Sequence, residues 1–225
     1  MNEANTADRS ICDSLLNDLK GLTQAKFTRE YPRGSVIFAE GENVRGVYVL
    51  CQGRAKISIG SAEGRTLVLR VAEPGELLGI NATVSGQPYR ATVKTLDNCR
   101  IDFIPREQFL KLLDRDKRAY AGVVRALSEK LDYVIEQTRL LFLSQSASEK
   151  LARLLLSWCK AGALTAHGTE LDICLTHEEL AQMICSSRET VTRLLTDLKQ
   201  QEILHIANNR IVIRNRKALQ MMAKS

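Results

Sequence analysis

The sequence predicts an α+β protein with three parts: an N-terminal antiparallel β-barrel of the jelly-roll kind, a long helix of the coiled-coil type, and a C-terminal winged helix-turn-helix domain. Three observations support this prediction. Short β-rich runs separated by turn residues fill residues 31–104, an unbroken heptad pattern follows, and two helix-start signals then lie close together. We expect the domain bounds 1–115, 116–143 and 144–225.

The N-terminal part contains a leading helix and then a run of short strands. The helix is expected over residues 11–22. Strands are predicted at 36–38, 47–50, 55–59, 66–71, 91–96 and 100–104, with glycine-containing turns between them. Several of them alternate apolar and polar residues, as Ile57 and Ile59 illustrate. Such alternation gives each strand one buried face, which is typical of a small barrel or sandwich.

A long helix is predicted from about Lys117 to Leu143, after a short helical segment that ends near Leu113. Its apolar positions, separated alternately by four and three residues, form a seam: Tyr120, Val124, Leu127, Leu131, Val134, Thr138 and Leu141. A helix that packs on its own barrel needs a 3.6-residue repeat, whereas a strict 3.5-residue repeat favours a second helix alongside. We predict a parallel homodimer through this seam, with the polar Thr138 setting its register. Packing against the barrel is the alternative.

The polar segment Ser144–Ser148 is the predicted hinge between the long helix and the C-terminal domain. Ser146 and Glu149 fit the S/T-x-x-E capping box that opens a helix, and Gly162 is expected to stop that helix. A strand is predicted at 171–175.

The stretch from Thr176 to Gln200 predicts two helices joined by a tight turn. Thr176 with Glu179 and Ser186 with Glu189 each fit a capping box. The apolar stripe of the second helix leaves these side chains outward on its N-terminal half: Ser187, Arg188, Glu189, Thr192 and Arg193. Arginine can bond guanine and glutamate can bond cytosine in the major groove, so this face is typical of a DNA-reading helix. A merely solvated charged face is the alternative.

A hairpin is predicted next, with strands at 204–206 and 210–213. A helix-turn-helix followed by a hairpin is a winged helix, and we expect Asn209 and Arg210 of the wing to contact DNA. From Ile203 to the end the chain has no acidic residue, and its basic residues are Arg210, Arg214, Arg216, Lys217 and Lys224. This basic tail favours a polyanionic partner.

Composition narrows the class of protein. The 225 residues carry a net charge of +6. No apolar run approaches the ~18 residues that span a bilayer, so we expect a cytoplasmic protein with no membrane partner. The six cysteines lack a C-x-x-C pair and are interpreted as small hydrophobes. Paired carboxylates, Ser/His or Cys/His sets and metal-ligand spacings are missing, so we do not predict an enzyme.

The order of barrel, long helix and winged helix, over about residues 20–220, resembles the cyclic-AMP receptor and fumarate-nitrate regulator (CRP/FNR) superfamily of bacterial transcription factors. The most specific part is SSRETVTRLLTDLKQQEIL at 186–204, which looks like a recognition helix of the catabolite activator type. The resemblance implies that Arg188, Glu189 and Arg193 read bases at a TGTGA-like half-site, and that RNA polymerase is a further partner. Cys185 stands where the family usually has glycine, so we expect either a left-handed residue or a shifted turn.

The segment GELLGINATVSGQPYRATV at 75–93 resembles the family's phosphate-binding cassette, which implies a barrel like that of cyclic-nucleotide-binding domains. The effector pocket is then expected at Gly75, Glu76, Leu77, Leu78, Gly79, Arg90 and Ala91. Arg90 matches the phosphate-pairing arginine, and the N–H groups of the glycine-rich turn are expected to cradle an anion. Ile80 and Ala91, however, replace the family's ribose-binding glutamate and a hydroxyl donor, so cyclic AMP is disfavoured. A solvated or ion-paired barrel arginine is the alternative for Arg90.

Two other cofactors are not expected. Cys99 falls where the fumarate-nitrate regulator branch has an internal cluster ligand, but Cys12 stands alone near the N-terminus and a cubane cluster needs four thiolates. Haem is not expected because the histidines lie outside the barrel. The sequence thus predicts a homodimeric DNA-binding regulator whose effector is undetermined. A regulatory module that acts through protein partners and a constitutive regulator with a vestigial pocket stay open as alternatives.

Overall fold

The computed structural model describes residues 27–159, 162–165, 168–172, 175–207 and 210–224. The leading helix predicted at 11–22 lies outside the described residues. The chain divides into two compact units, one ending at Tyr133 and one starting at Val134. Because this division falls inside the long helix, the predicted bounds 1–115, 116–143 and 144–225 stay predictions.

The first unit contains eight of the described strands. They are β1 (Phe27–Tyr31), β2 (Val36–Phe38), β3 (Gly46–Gln52), β4 (Ala55–Gly60), β5 (Thr66–Ala72), β6 (Leu77–Leu78), β7 (Thr92–Thr95) and β8 (Cys99–Pro105). They form two antiparallel sheets with the orders β1-β8-β3-β6 and β2-β7-β4-β5. The jelly-roll prediction is confirmed, but a closed barrel is wrong, since the strands separate into two sheets. The sequence patterns missed β1, a largely exposed edge strand, and β6, which is two residues long.

Three helices accompany these sheets: α1 (Ile80–Ser85), α2 (Arg106–Arg115) and α3 (Lys117–Leu143). The bounds predicted for the long helix, α3, are confirmed. β3 is buried on both faces, which explains its continuous apolar run. Tyr48 and Leu50 join one core cluster, whereas Val47 and Val49 join a second cluster that includes Val123 of α3.

The second unit begins within α3 and has the order of elements of a winged helix. After α3 come α4 (Ala147–Trp158), β9 (Ala163–Thr165), β10 (Gly168–Asp172), α5 (His177–Met183), α6 (Arg188–Gln200), β11 (Leu204–Ala207), β12 (Arg210–Ile213) and α7 (Arg216–Met222). The strands form one sheet in the order β11-β12-β10-β9. The predicted hairpin is confirmed as β11 and β12, which pair from Leu204 with Ile213 to Ala207 with Arg210.

The strand predicted at 171–175 lies earlier, at β10. Its position follows from Gly168, whose φ is 129° and whose added Cβ would lie 2.2 Å from the carbonyl oxygen of Ile213. Only glycine fits this close approach to β12, so the strand starts there. The buried residues of β10 are then Thr169 and Leu171.

The core of the second unit includes apolar faces of three helices. Among its buried residues are Leu151, Leu154 and Leu155 of α4, Val191, Leu195 and Leu198 of α6, and Leu219 of α7. The predicted start of α4 is confirmed, because the Ser146 hydroxyl accepts a hydrogen bond from the Glu149 N–H at 3.0 Å. The Glu149 carboxylate in turn accepts from the Gln145 N–H and pairs with Arg153. These bonds hold α4 against the core on which α6 rests.

Candidate DNA-binding surface and effector region

The turn between α5 and α6 contains a residue in the left-handed conformation. Cys185 has a φ of 52° and is exposed. Of the two outcomes expected for a non-glycine residue here, the left-handed conformation is the one observed; it costs about 1–2 kcal/mol for a residue with a Cβ. The following N–H, of Ser186, donates to the Ala181 carbonyl at 3.0 Å. Ser186 therefore belongs to the turn.

The first turn of α6 is capped one residue later than predicted. The Ser186–Glu189 capping box is wrong: the cap is Ser187, whose hydroxyl accepts from the Thr190 N–H at 3.1 Å. The reason is that Ser186 is used by the turn. Glu189 is consequently exposed on the surface of α6. The other predicted box is confirmed, with Thr176 and Glu179 bonded reciprocally at the start of α5.

α6 has two chemically distinct faces. Val191, Leu195 and Leu198 are each at most 2% exposed. The opposite face is exposed and polar, and it gathers all five predicted helix residues: Ser187, Arg188, Glu189, Thr192 and Arg193. Donors and acceptors of this kind at the N-terminal half of a helix suit the edges of bases in a major groove.

One contact on this face was not predicted. His177, the first residue of α5, has its Nδ1 atom 3.0 Å from the Thr192 hydroxyl of α6. The imidazole is half-buried and borders the exposed face of α6. The only sequence signal was its position directly after the Thr176 cap, at the N-terminal end of α5.

The wing carries an ion pair. The Arg210 guanidinium of β12 lies 2.6 Å from the Glu170 carboxylate of β10. Arg210 is mostly exposed, so such a pair contributes less than about 1 kcal/mol and leaves the guanidinium able to exchange its partner for a phosphate oxygen. Asn209 lies outside the described residues. The remaining basic residues of the tail are exposed: Arg214, Arg216, Lys217 and Lys224.

In the first unit, the predicted effector residues lie at the end of β5, on β6 and around α1. Gly75 donates its N–H to the Leu50 carbonyl at 2.7 Å, and Glu76 donates its own to the Glu73 carbonyl. These two N–H groups are therefore engaged within the fold. Gly79 has a φ of 75°, and an added Cβ would lie 2.8 Å from the Tyr89 ring. Leu77 and Leu78 are buried.

Two of the residues present disfavour cyclic AMP. Ile80, at the position of the family's ribose-binding glutamate, is 2% exposed and packs in a cluster with Ile104 and Phe109. Ala91, half-buried, has no side-chain donor. Arg90 is exposed. A ligand here would need recognition chemistry other than a ribose-binding carboxylate.

Four polar side chains connect the cassette, β5 and the long helix; we call them the polar cluster: Arg70, Glu76, Lys130 and Tyr133. The Arg70 guanidinium lies 2.6 Å from the Glu76 carboxylate. Lys130 of α3 donates to the Leu77 carbonyl at 2.6 Å, and the Tyr133 hydroxyl donates to the Leu69 carbonyl at 2.9 Å. The polar cluster thus ties α3 to both β5 and β6.

Burial shifts the pKa values of two members of the polar cluster. It lowers the pKa of the Lys130 ammonium to about 8; the Arg70 guanidinium adds to this lowering and the Glu76 carboxylate opposes it. Burial also raises the pKa of the Tyr133 hydroxyl to about 12. Lys130 is a cation held among protein groups at a considerable desolvation cost, offset by its bond to the Leu77 carbonyl.

The predicted seam of α3 is largely on the surface. Tyr120, Val124, Leu131 and Val134 are 50 to 61% exposed. Leu127 is half-buried against the jelly-roll core, Leu141 is half-buried, and Thr138 is exposed with its hydroxyl donating to the Val134 carbonyl at 2.8 Å. Val123 of α3 packs in the same jelly-roll core cluster as Leu127, and Ala119 is also buried. α3 therefore has two apolar faces, one packed and one open.

The four described cysteines differ in their exposure, and Cys51 is half-buried. Cys99 and Cys159 are buried, as expected of small hydrophobes, and burial raises the pKa of both thiols. Cys185 is exposed.

Among the residues that the structure describes, no group of histidine, cysteine, aspartate and glutamate side chains could hold a metal ion. None of the described helices is long and apolar enough to cross a membrane.

Comparison with known proteins agrees with this division of the chain. Residues 28–116 match the family model of the cyclic nucleotide-binding domain, and residues 149–222 match that of the Crp-like helix-turn-helix domain. The chain is 26% identical over 186 residues to the cAMP-activated global transcriptional regulator CRP of Haemophilus influenzae, covering 82% of each protein. It is 28% identical over 221 residues to the global nitrogen regulator of Synechococcus elongatus, covering 92% of this chain and 96% of the relative.

A solved structure agrees with the fold. The CRP-family transcriptional regulator of Thermus thermophilus is similar with a TM-score of 0.72 and 25% identity, over 88% of this chain and 97% of that one. The two matched domains, the charged outer face of α6 and these relatives together identify the chain as a member of the CRP/FNR superfamily of DNA-binding transcription regulators.

Proposed function

We propose that this regulator is a homodimer that reads a TGTGA-like pseudo-palindrome with α6 and is controlled by an effector or signal at its jelly-roll unit. The observation that carries the proposal is the division of α6 into a buried apolar face and an exposed face bearing Arg188, Glu189 and Arg193. Ser187 and Thr192 lie beside these base readers, and Asn209 and Arg210 contact the backbone from the wing.

Dimerisation through the seam of α3 would explain why the proposed DNA site is a pseudo-palindrome. Two copies of α6 in one dimer would enter successive major grooves, roughly 34 Å apart. The open apolar face of α3 supports this arrangement, because a contiguous apolar stripe of this length on a monomer marks an interaction site. An intramolecular role is less consistent with the exposure of Tyr120, Val124, Leu131 and Val134, since α3 packs on its own jelly roll through Val123 and Leu127.

Control at the jelly-roll unit follows from the polar cluster. An effector that changes the bonds among Arg70, Glu76 and Lys130 would change how α3 is held against β5 and β6, and through α3 it would bias the DNA-binding domains about Ser144–Ser148. RNA polymerase is the proposed partner of the DNA-bound form.

A constitutive regulator with a vestigial pocket is the second candidate. It is favoured by the internal engagement of the Gly75 and Glu76 N–H groups and by the burial of Ile80. Native mass spectrometry of copurified ligands, followed by titration with cyclic nucleotides, separates the candidates. A bound small molecule that changes DNA affinity supports effector control; equal DNA affinity with and without every copurified species supports the constitutive form.

The DNA-reading assignment is tested by selection from random DNA and by Arg188→Ala. Because a bidentate arginine–guanine contact discriminates by about 1–3 kcal/mol, the variant should lose that much preference for the selected site and keep its salt-dependent non-specific binding. Lys199→Ala, at the C-terminal end of the same helix, is the matched control and should keep the preference. Equal weakening on all sequences would remove Arg188 from the base readers, and selection of no motif would favour a module acting on protein partners.

A further inference from the structure

The contact between His177 and Thr192 crosses the helix-turn-helix unit. The His177 imidazole belongs to α5 and the Thr192 hydroxyl belongs to the exposed face of α6, with Nδ1 and Oγ1 3.0 Å apart. Thr192 lies beside Arg193 and one turn after Arg188. The bond therefore fixes a side chain in the middle of the proposed base-reading surface.

The hydroxyl of Thr192 makes a different bond from those of Thr196 and Thr138, two other helical threonines. Thr196 donates to the Thr192 carbonyl and Thr138 donates to the Val134 carbonyl, each four residues back at 2.8 Å. Thr192 instead bonds across to His177. Threonine occupies staggered χ1 wells, so the position of the oxygen also determines where its methyl group points.

Whether the Thr192 hydroxyl is already hydrogen-bonded to the protein decides which part of this side chain recognises a base. A hydroxyl that is available to DNA can donate to or accept from several base edges, and so it discriminates poorly. A hydroxyl already bonded to the protein is fixed in position and has one hydrogen-bonding site fewer for DNA, so the methyl group becomes the more selective contact surface. A threonine methyl packs on the C5-methyl group of thymine.

We propose that His177 is a positioning residue that commits Thr192 to reading a thymine through its methyl group. This inference rests on the proposed function, since it requires α6 to face base edges. It adds a specificity determinant that lies outside the recognition helix and acts through Thr192.

The test measures affinity for the selected site while each thymine of the half-site is replaced in turn by uracil, which removes only the C5-methyl group. For the wild-type protein, one replacement should weaken binding about fourfold, the effect of one methyl-sized apolar contact. Thr192→Ser removes the methyl and keeps the hydroxyl, so it should abolish this difference. Thr196→Ser, on the same helix, is the matched control and should preserve it.

The role of His177 is tested by three substitutions. His177→Ala should reduce the thymine-over-uracil difference at the same position to below twofold. His177→Asn places an amide nitrogen where Nδ1 stands and should restore the difference, whereas His177→Gln places its amide nearer to Nε2 and should not. Thr192→Val keeps a methyl without needing the bond, so adding His177→Ala to it should change the difference little.

The outcomes separate this inference from the proposed function. If selection yields no motif, the proposed function fails. If a motif is selected but no thymine is sensitive to loss of its methyl, or if Thr192→Ser keeps the sensitivity, the inference fails and the proposed function stands. Rescue by Gln and not by Asn would also overturn it, because His177 would then act through Nε2.

Discussion

Replacing Lys130 by methionine isolates the energetics of the polar cluster. Methionine keeps an unbranched side chain of similar length, but it removes the ammonium group that donates to the Leu77 carbonyl. That hydrogen bond to a charged donor contributes about 1.5–3 kcal/mol. Against it stands the cost of burying the cation: a pKa of about 8 instead of 10.5 corresponds to about 3 kcal/mol. The two nearly cancel, so the free energy of unfolding should change by no more than about 2 kcal/mol at pH 7.

The pH dependence of the free energy of unfolding tests this assignment more sharply than the value at pH 7. The pKa of Lys130 in the folded protein is below its unfolded value, so unfolding takes up a proton between about pH 8 and pH 10.5 and the free energy of unfolding rises with pH in that window. Between pH 7 and pH 9.5 the gain from this group is about 2 kcal/mol. Buried thiols such as Cys99 act in the opposite direction, because their raised pKa means that the unfolded chain ionises first. The variant shares these thiols.

The measurement is urea unfolding of the wild type and Lys130→Met at pH 7, 8, 9 and 9.5. The difference between their free energies of unfolding should move by about 2 kcal/mol in favour of the wild type across the series. Lys117→Met, an exposed lysine of the same helix, is the matched control and should show a constant difference. If the free energies of unfolding of the wild type and Lys130→Met changed with pH in parallel, the assignment of a buried ammonium with a lowered pKa at this position would be refuted.

Two further outcomes are expected. Cys185→Gly should raise the free energy of unfolding by about 1 kcal/mol, because glycine adopts the left-handed conformation without strain. Cys185→Ala keeps the Cβ and should give no such gain in the same denaturation assay. A gain from alanine would mean that the thiol, and not the backbone, is responsible. Leu131→Ala should weaken the dimer roughly 30-fold in sedimentation equilibrium, since losing about 1 kcal/mol of apolar burial per protomer counts twice. Leu164→Ala, exposed but outside the seam, should leave the dimer unchanged, and unchanged association of Leu131→Ala would exclude the seam as the interface.

Local periodicity predicted the long elements of the fold correctly. The bounds of α3 follow from an uninterrupted helical pattern. The apolar alternation located β4 and β5, but their burial does not follow it: Val68 and Ala72 are the buried residues of β5, and a bulge between Ile57 and Ser58 interrupts β4. The sequence did not predict β1, because the residues of this strand are mostly exposed. Its hydrogen-bonded pairing with β8, and not the burial of its side chains, stabilises it. The distinction between a closed barrel and two sheets depends on which edges pair, and no local pattern contains that information.

The candidate site was predictable where single residues determine the geometry. The resemblance to a family with glycine in this turn left two outcomes for Cys185, of which the left-handed one is observed, and the outward face of α6 follows from its apolar stripe. The contact of His177 with Thr192 and the polar cluster around Lys130 join residues distant in the sequence, so they depend on tertiary packing. The shift of the cap from Ser186 to Ser187 belongs to the same class, because the tertiary turn decides which serine is available.

The burial of Ile80 restricts how this protein can change. A carboxylate could not be introduced here by Ile80→Glu alone, because it would enter a cluster of Ile104, Phe109 and Val123 with no cation among those neighbours. Burying an unpaired charge costs several kcal/mol, comparable with the whole stability of a domain. The core would have to be rebuilt first, so new ligand chemistry is more easily acquired at the polar cluster than at the position of Ile80.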